Sequence, residues 1–213
     1  MFFGFKKELL RKLSGKAIIG YMKINIIKPP EGTYWGQFND RAISDTWVDT
    51  LFQTFCNGEL DRCTDRNTMD VAVDRAWLDG GGNDATDLVD GYTLDEVPEI
   101  AFTVGGKKAI KNNNLWMLSG NHRRLALKKY VESLKATMEE AQEKIDEVKK
   151  DKSEDELEKL GEGARRGLEE NEAIVEEMKE KIEEGSYWTV RLMDRGACHV
   201  RAFASRERDG AEG

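Results

Sequence analysis

No apolar stretch in the 213 residues approaches the roughly 20 that a membrane-spanning helix needs. Cysteine is scarce. Cys56, Cys63 and Cys198 are odd in number and widely spaced, which excludes a disulfide framework, and no CxxC pair marks a zinc site. His199 beside Cys198 would leave a metal short of tetrahedral ligands. The opening Met1-Phe2-Phe3-Gly4-Phe5-Lys6-Lys7 lacks the charged-then-apolar order of a secretory leader. Phe2 stands where N-myristoylation needs glycine, and the last residues carry no prenylation box. These absences lead us to expect an intracellular chain, cytoplasmic or nuclear.

The net charge is −8, but the signs are segregated. Residues 1–30 carry seven bases and one acid, and residues 31–100 carry four bases and sixteen acids. Residues 101–130 carry seven bases and no acid. Residues 131–184 carry ten bases and twenty acids. An acidic chain makes a poor generic binder of nucleic-acid backbone, which wants a broad basic face. A basic island inside it suits a small anionic ligand better.

Along the chain, residues 2–14 read as a short amphipathic helix, with Phe2, Phe5, Leu9 and Leu13 near one face. Such a helix packs on the domain or, through its basic face, lies on a membrane surface. Residues 17–27 are rich in β-branched residues and end near Pro29-Pro30, as a strand does. A loop with Gly32 and Gly36 leads to Arg41. Ile43, Trp47, Leu51 and Phe55 have helical spacing over 43–56, with Ser44 or the region of Asp40 as cap and Asn57-Gly58 as stop. Residues 69–73 and 99–103 are candidate short strands. Residues 79–93 form a loop whose triple glycine is ringed by Asp79, Asp84, Asp87 and Asp90, charges that would repel a phosphate.

From Leu127 a heptad pattern sets in: Leu127, Val131, Leu134, Met138, Ala141, Ile145 and Val148. A polar stretch over 149–155 reads as a turn. A second stripe then follows: Leu157, Leu160, Ala164, Leu168, Val175, Met178 and Ile182. Gly161, Gly163 and Gly167 weaken its start. Two facing stripes predict an antiparallel coiled-coil hairpin over 131–184, able to present itself to a protein partner or to self-associate. Residues 186–193 read as a strand returning to the sheet. The expected organisation is an α/β domain over 1–130, completed by a strand within 186–204, the inserted hairpin, and a polar tail over 205–213.

The informative segment is Leu115-Trp116-Met117-Leu118-Ser119-Gly120-Asn121-His122-Arg123-Arg124-Leu125-Ala126. An apolar strand reaches a tight turn at Gly120, and a helix begins at once. Its free N–H groups and dipole favour an anion there. Positive side chains in a first helical turn cost about 0.3–1 kcal/mol each. Arg123 and Arg124 therefore call for a compensating anion, or for carboxylates from the acidic 31–100 stretch.

The run Gly120-Asn121-His122-Arg123-Arg124-Leu125-Ala126 resembles the G-x-(H/R)-R-x-x-A box of the ParB/sulfiredoxin superfamily. The order of elements over roughly 17–130 plus 186–193 is similar too. The resemblance implies an α+β fold: a small mixed sheet with helices, here carrying the inserted hairpin. It also implies that Gly120 and Arg123 meet nucleotide phosphates, as the box does in ParB-type CTPases and related free-serine kinases. Asn121 stands where sulfiredoxins carry a catalytic cysteine and where chromosome-partitioning ParB carries an acid. No helix-turn-helix follows the box.

The expected function is accordingly a nucleotide- or phosphate-binding protein, with NTP hydrolysis or phosphoryl transfer as its chemistry and CTP or ATP with Mg2+ as cofactor. Arg123 would fork onto a phosphate. Backbone N–H groups from Gly120 to His122 would share it. His122 would donate a hydrogen bond or act as general acid or base. Ser119, Asn121 and Arg124 complete the box, Lys107, Lys108 and Lys111 add charge, and Arg41 is the best candidate from elsewhere. Asp40 and Asp45 are available to hold a metal. Two alternatives stay open: a non-catalytic interaction protein built around the hairpin, and a ParB-like nucleic-acid-binding or nuclease domain.

Overall fold

The structure, a computed structural model, describes residues 17–35, 42–58, 61–82, 85–87, 92–113, 115–150, 152 and 160–196. The expected helix at 2–14, Asp40, Arg41, Asp84, Asp90, Leu157, Cys198, His199 and the tail from Ser205 lie outside the described residues.

The alternating apolar residues of Ile18–Asn25 form β1. Strands β2 (Thr33–Trp35), β3 (Met69–Val73), β4 (Leu115–Met117) and β5 (Tyr187–Asp194) join it in one mixed five-stranded sheet, ordered β1-β5-β3-β4-β2. Helices α1 (Asp45–Cys56), α2 (Val104–Asn113), α3 (Asn121–Lys149) and α4 (Glu162–Gly185) complete a mixed α+β architecture. The last strand among the described residues, β5, lies inside the sheet. β5 runs antiparallel to β1, with Ile24 opposite Trp188, and parallel to β3, with Val71 opposite Leu192. Trp188, Val190 and Leu192 share one face of β5 and are buried in the main core.

Side chains on β5 alternate between faces. On one face the Trp188 ring lies 5.7 Å from that of Phe55 in α1, which lies 6.4 Å from Tyr130 in α3. The Trp188 indole also donates to the Asn67 carbonyl at 2.8 Å. On the other face Arg191 donates to Asp70 at 2.7 Å and to Asp65 at 3.1 Å, and Asp65 accepts from the Tyr21 hydroxyl at 2.7 Å. These bonds tie β1, β3 and β5 together. Burial works against the charge on Arg191, but Asp70 and Asp65 outweigh it and raise the guanidinium above its ordinary value.

The free edge of β1 is covered by irregular chain. Tyr21 exchanges backbone bonds with Thr86, and Lys23 with Pro98 and Ile100. Covering an edge in this way removes a template for aggregation. Residues 99–103 do not form the continuous strand that their composition predicts. Glu99 bridges Lys23 and Phe102 bridges Leu78, one pairing each on different partners.

Helix α1 begins at Ser44, whose hydroxyl accepts from the Trp47 N–H at 3.4 Å, and ends at Asn57. Its buried side differs from the expected one. Val48 and Phe55 are buried, and Leu51 and Phe52 pack against the core. Ile43 is 52% exposed and Trp47 64%. The i, i+3, i+4, i+7 stripe from Val48 wins the core, and Trp47 lies about 100° around the helix from it.

Helices α3 and α4 pack side by side in opposite directions. Val131 lies beside Gly185, and Lys149 pairs with Glu172 at 2.7 Å. Ala141, Ile145 and Val175 form an apolar cluster separate from the main core, flanked by Met138, Leu168 and Ile174. Most of the expected turn over 149–155 falls outside the described residues.

Because Trp188 joins the sheet to α1 and α3, Trp188→Ala is expected to destabilise the domain by about 3–5 kcal/mol. Urea unfolding followed by circular dichroism measures this. A loss below about 1 kcal/mol would show that the Trp188–Phe55–Tyr130 stack is not central.

Candidate functional site

The three residues of β4 deliver the chain to Leu118-Ser119-Gly120, and α3 starts at Asn121. Two features fix this turn. The Ser119 hydroxyl oxygen accepts from the Asp70 N–H at 2.9 Å, pinning the turn to β3. Gly120 has φ of 93°, and a Cβ there would stand 2.5 Å from Met69. Left-handed backbone and a close neighbour both demand glycine.

Gly120 gives α3 no side-chain cap. The first bond of the helix ladder runs from Arg124 N–H to the Gly120 carbonyl at 2.9 Å. The N–H groups of Asn121, His122 and Arg123 therefore precede the ladder, at the positive end of the dipole. Residues 120–123 line a cavity of about 340 Å³ together with Ala42, Ser44, Trp47 and Leu51.

The charged side chains of the box divide their roles. Arg123 lines the cavity and donates to the Arg66 carbonyl at 3.1 Å. Burial pushes its guanidinium below its ordinary value, and the field of Asp70 acts against that. Arg124 instead stacks over Trp35, 4.8 Å from the ring centre, and donates to the Asn121 side-chain oxygen at 3.3 Å. Burial lowers it as well. The partners of both arginines in these bonds are neutral: a carbonyl, an amide and an aromatic face.

His122 Nε2 accepts from the Ser44 N–H at 3.0 Å. The bond occupies the Nε2 lone pair and joins the starts of α1 and α3. Proton transfer to a ligand through Nε2 would require breaking it, which leaves Nδ1 as the other ring nitrogen for acid–base work. Lys129 and Asp49, 2.6 Å apart, make a second, exposed link between the same helices.

The structure thus brings Gly120, Asn121, His122 and Arg123 to one cavity. Ser119 and Arg124 hold the turn from outside its lining. Lys107, Lys108 and Lys111 line a different cleft, with Lys28, Phe102 and Ile110, and Lys111 pairs with Glu31 at 3.0 Å. Arg41 is outside the described residues, although Ala42 beside it lines the cavity. Ser44 and Trp47 are additions that the motif does not contain. Helical spacing alone assigns Trp47 to the core.

Phosphoryl transfer calls for magnesium held by carboxylates. No carboxylate lines this cavity among the described residues, and none of their His, Cys, Asp and Glu clusters suits a metal ion. What the described lining supplies is the start of α3, an imidazole and a guanidinium. What the donors can do is hold an anion. No family model, curated protein or solved structure matches this chain.

Gly120→Ala is expected to destabilise the fold by more than about 1 kcal/mol, through backbone strain and the Met69 contact. Met69→Ala makes room for the new methyl group. The double variant should therefore lose less stability than the two single losses added together, and thermal unfolding of all four proteins tests the coupling. Strict additivity would show that Met69 does not set the turn.

Proposed function

We propose that this chain is a nucleotide- or phosphate-binding protein with a ParB/sulfiredoxin-like domain, in which the start of α3 and Arg123 hold a phosphate. The carrying observation is the uncapped first turn of α3 opening on a cavity beside a partly buried arginine. Backbone N–H groups at a helix start form a ready anion site. A guanidinium in a low-dielectric wall adds a charge-assisted, two-pronged contact. Gly120 lets the backbone approach the ligand closely. CTP and ATP with Mg2+ remain the candidate ligands. NTP hydrolysis or phosphoryl transfer is the chemistry such a ligand would undergo.

A second reading rests on the separate apolar cluster of Ala141, Ile145 and Val175. A seam with its own core supports a coiled-coil hairpin over 131–184 that serves as an interaction arm. Under this reading a partner would be lost on Ile145→Asp while nucleotide binding persists.

Isothermal calorimetry with CTP, ATP, ADP and GTP in magnesium buffer tests the first reading. The native chain should bind at least one of them. Arg123→Ala should weaken that ligand by about 10- to 100-fold, the range for a hydrogen bond to a charged group. Arg123→Lys should recover part of the loss, and circular dichroism checks that both variants fold. Binding by none of the four nucleotides, or equal binding by native and Arg123→Ala protein, would overturn the phosphate site.

A further inference from the structure

Trp47 is 64% exposed, yet it stands one turn into a helix that buries Val48 and Phe55. Its exposure leaves a large apolar face in water, with a polar N–H at one edge. Its position is specific. Trp47 lines the cavity at 120–123 together with Leu51 and Ala42, opposite in character to the polar donors of α3. One wall therefore offers N–H groups and a guanidinium, and the other offers an indole and two aliphatic side chains.

The two walls are held in register. The Ser44 N–H donates to His122 Nε2 at 3.0 Å, and Ser44 also caps the turn that carries Trp47. The indole is thus fixed relative to the phosphate donors through a short backbone connection. A cavity of about 340 Å³ falls at the low end of small-ligand sites, roughly 300–1,000 Å³. That is far more room than a phosphate ion fills. An anion with a flat aromatic group attached matches both walls.

We infer that Trp47 is the stacking surface for the base of a free mononucleotide whose phosphates sit at the start of α3. This inference rests on the phosphate site proposed above and adds the ligand's second half. Aromatic stacking reads the face of a base and tolerates different edges. Discrimination between a nucleotide and a bare polyphosphate should therefore be strong, and discrimination among bases weak. A single strand of nucleic acid offers the same chemistry. Its extended backbone, however, wants a broad basic face, and the chain carries a net charge of −8.

The test titrates the full chain with CTP, ATP, GTP, inorganic tripolyphosphate and a ten-residue oligothymidylate. Native protein should bind the best nucleoside triphosphate roughly tenfold tighter than tripolyphosphate, the order expected for one stacked base. Trp47→Ala should bring that ratio close to one, and Trp47→Phe should keep most of it. The indole emission missing from Trp47→Phe should be quenched by nucleoside triphosphate and not by tripolyphosphate.

A native ratio near one, or a ratio unchanged in Trp47→Ala, overturns the role of Trp47. If Arg123→Ala still loses both ligands in that case, the phosphate site stands without the stacking wall. Native protein that binds neither ligand overturns both. Tighter binding of the oligonucleotide than of any mononucleotide overturns the free ligand and assigns the two walls to a strand.

Discussion

The turn at Gly120 sets the geometry on which the rest of the structure depends. Met69 fills the space where any side chain would begin, and the φ of 93° directs the chain out of β4 and into α3. Ser119 pins the same turn to β3 through the Asp70 N–H. Once α3 leaves the sheet in this direction, Ala126 and Leu127 meet the core and are fully buried. His122 meets Ser44 and fixes the start of α1. α1 then delivers Phe55 to Trp188. The cavity is what remains between two helix starts held together by one backbone-to-imidazole bond.

The charges at this point follow a consistent logic. Two arginines at the positive end of a helix are unfavourable, and a protein seeking only stability would bridge them to its abundant acids. Among the described residues the arrangement is different. Asp70, whose field acts on Arg123, is bonded at 2.7 Å to Arg191. Arg123 takes a neutral carbonyl instead, and Arg124 takes an aromatic face and an amide. Neutral partners satisfy donors without cancelling charge. These bonds therefore leave both guanidinium charges uncancelled.

The strands and long helices are legible in the sequence because their patterns are strong. The β-branched run of β1, the apolar core of β3, the LWM of β4 and the buried run of β5 each stand between breakers. Helix α2 is not legible. Its first turn holds Gly105-Gly106, which propensity reads as a break. In the fold, Gly106 lies so close to the backbone of Trp77 that a side chain would collide. Glycine there reports close packing, which one sequence cannot distinguish from a loop. β2 is three residues long, as is β4, but Thr33-Tyr34-Trp35 lacks the continuous apolar character that marks β4. The box itself stands out by its residue types, but its division of labour does not. Nothing in the string Ser-Gly-Asn-His-Arg-Arg says that Ser119 and Arg124 brace the turn. Neither does it say that the nearby lysines of α2 line another cleft.

Trp47 shows why a periodic pattern alone misleads about function. Ile43, Trp47, Leu51 and Phe55 recur every four residues, and Val48, Leu51, Phe52 and Phe55 make an equally good stripe. Burial chooses between them, and it chooses the stripe that meets Trp188 and Tyr130 on one face of the sheet. The tryptophan is then left on the flank, where α1 and α3 begin side by side. α3 spans 29 residues without interruption, about 44 Å. Its first turn lines the cavity, and its later turns form the seam with α4. A ligand at one end and a partner at the other would therefore act on a single stiff element, packed on the sheet's core at Ala126 and Leu127. Both readings of this protein's role meet in that helix.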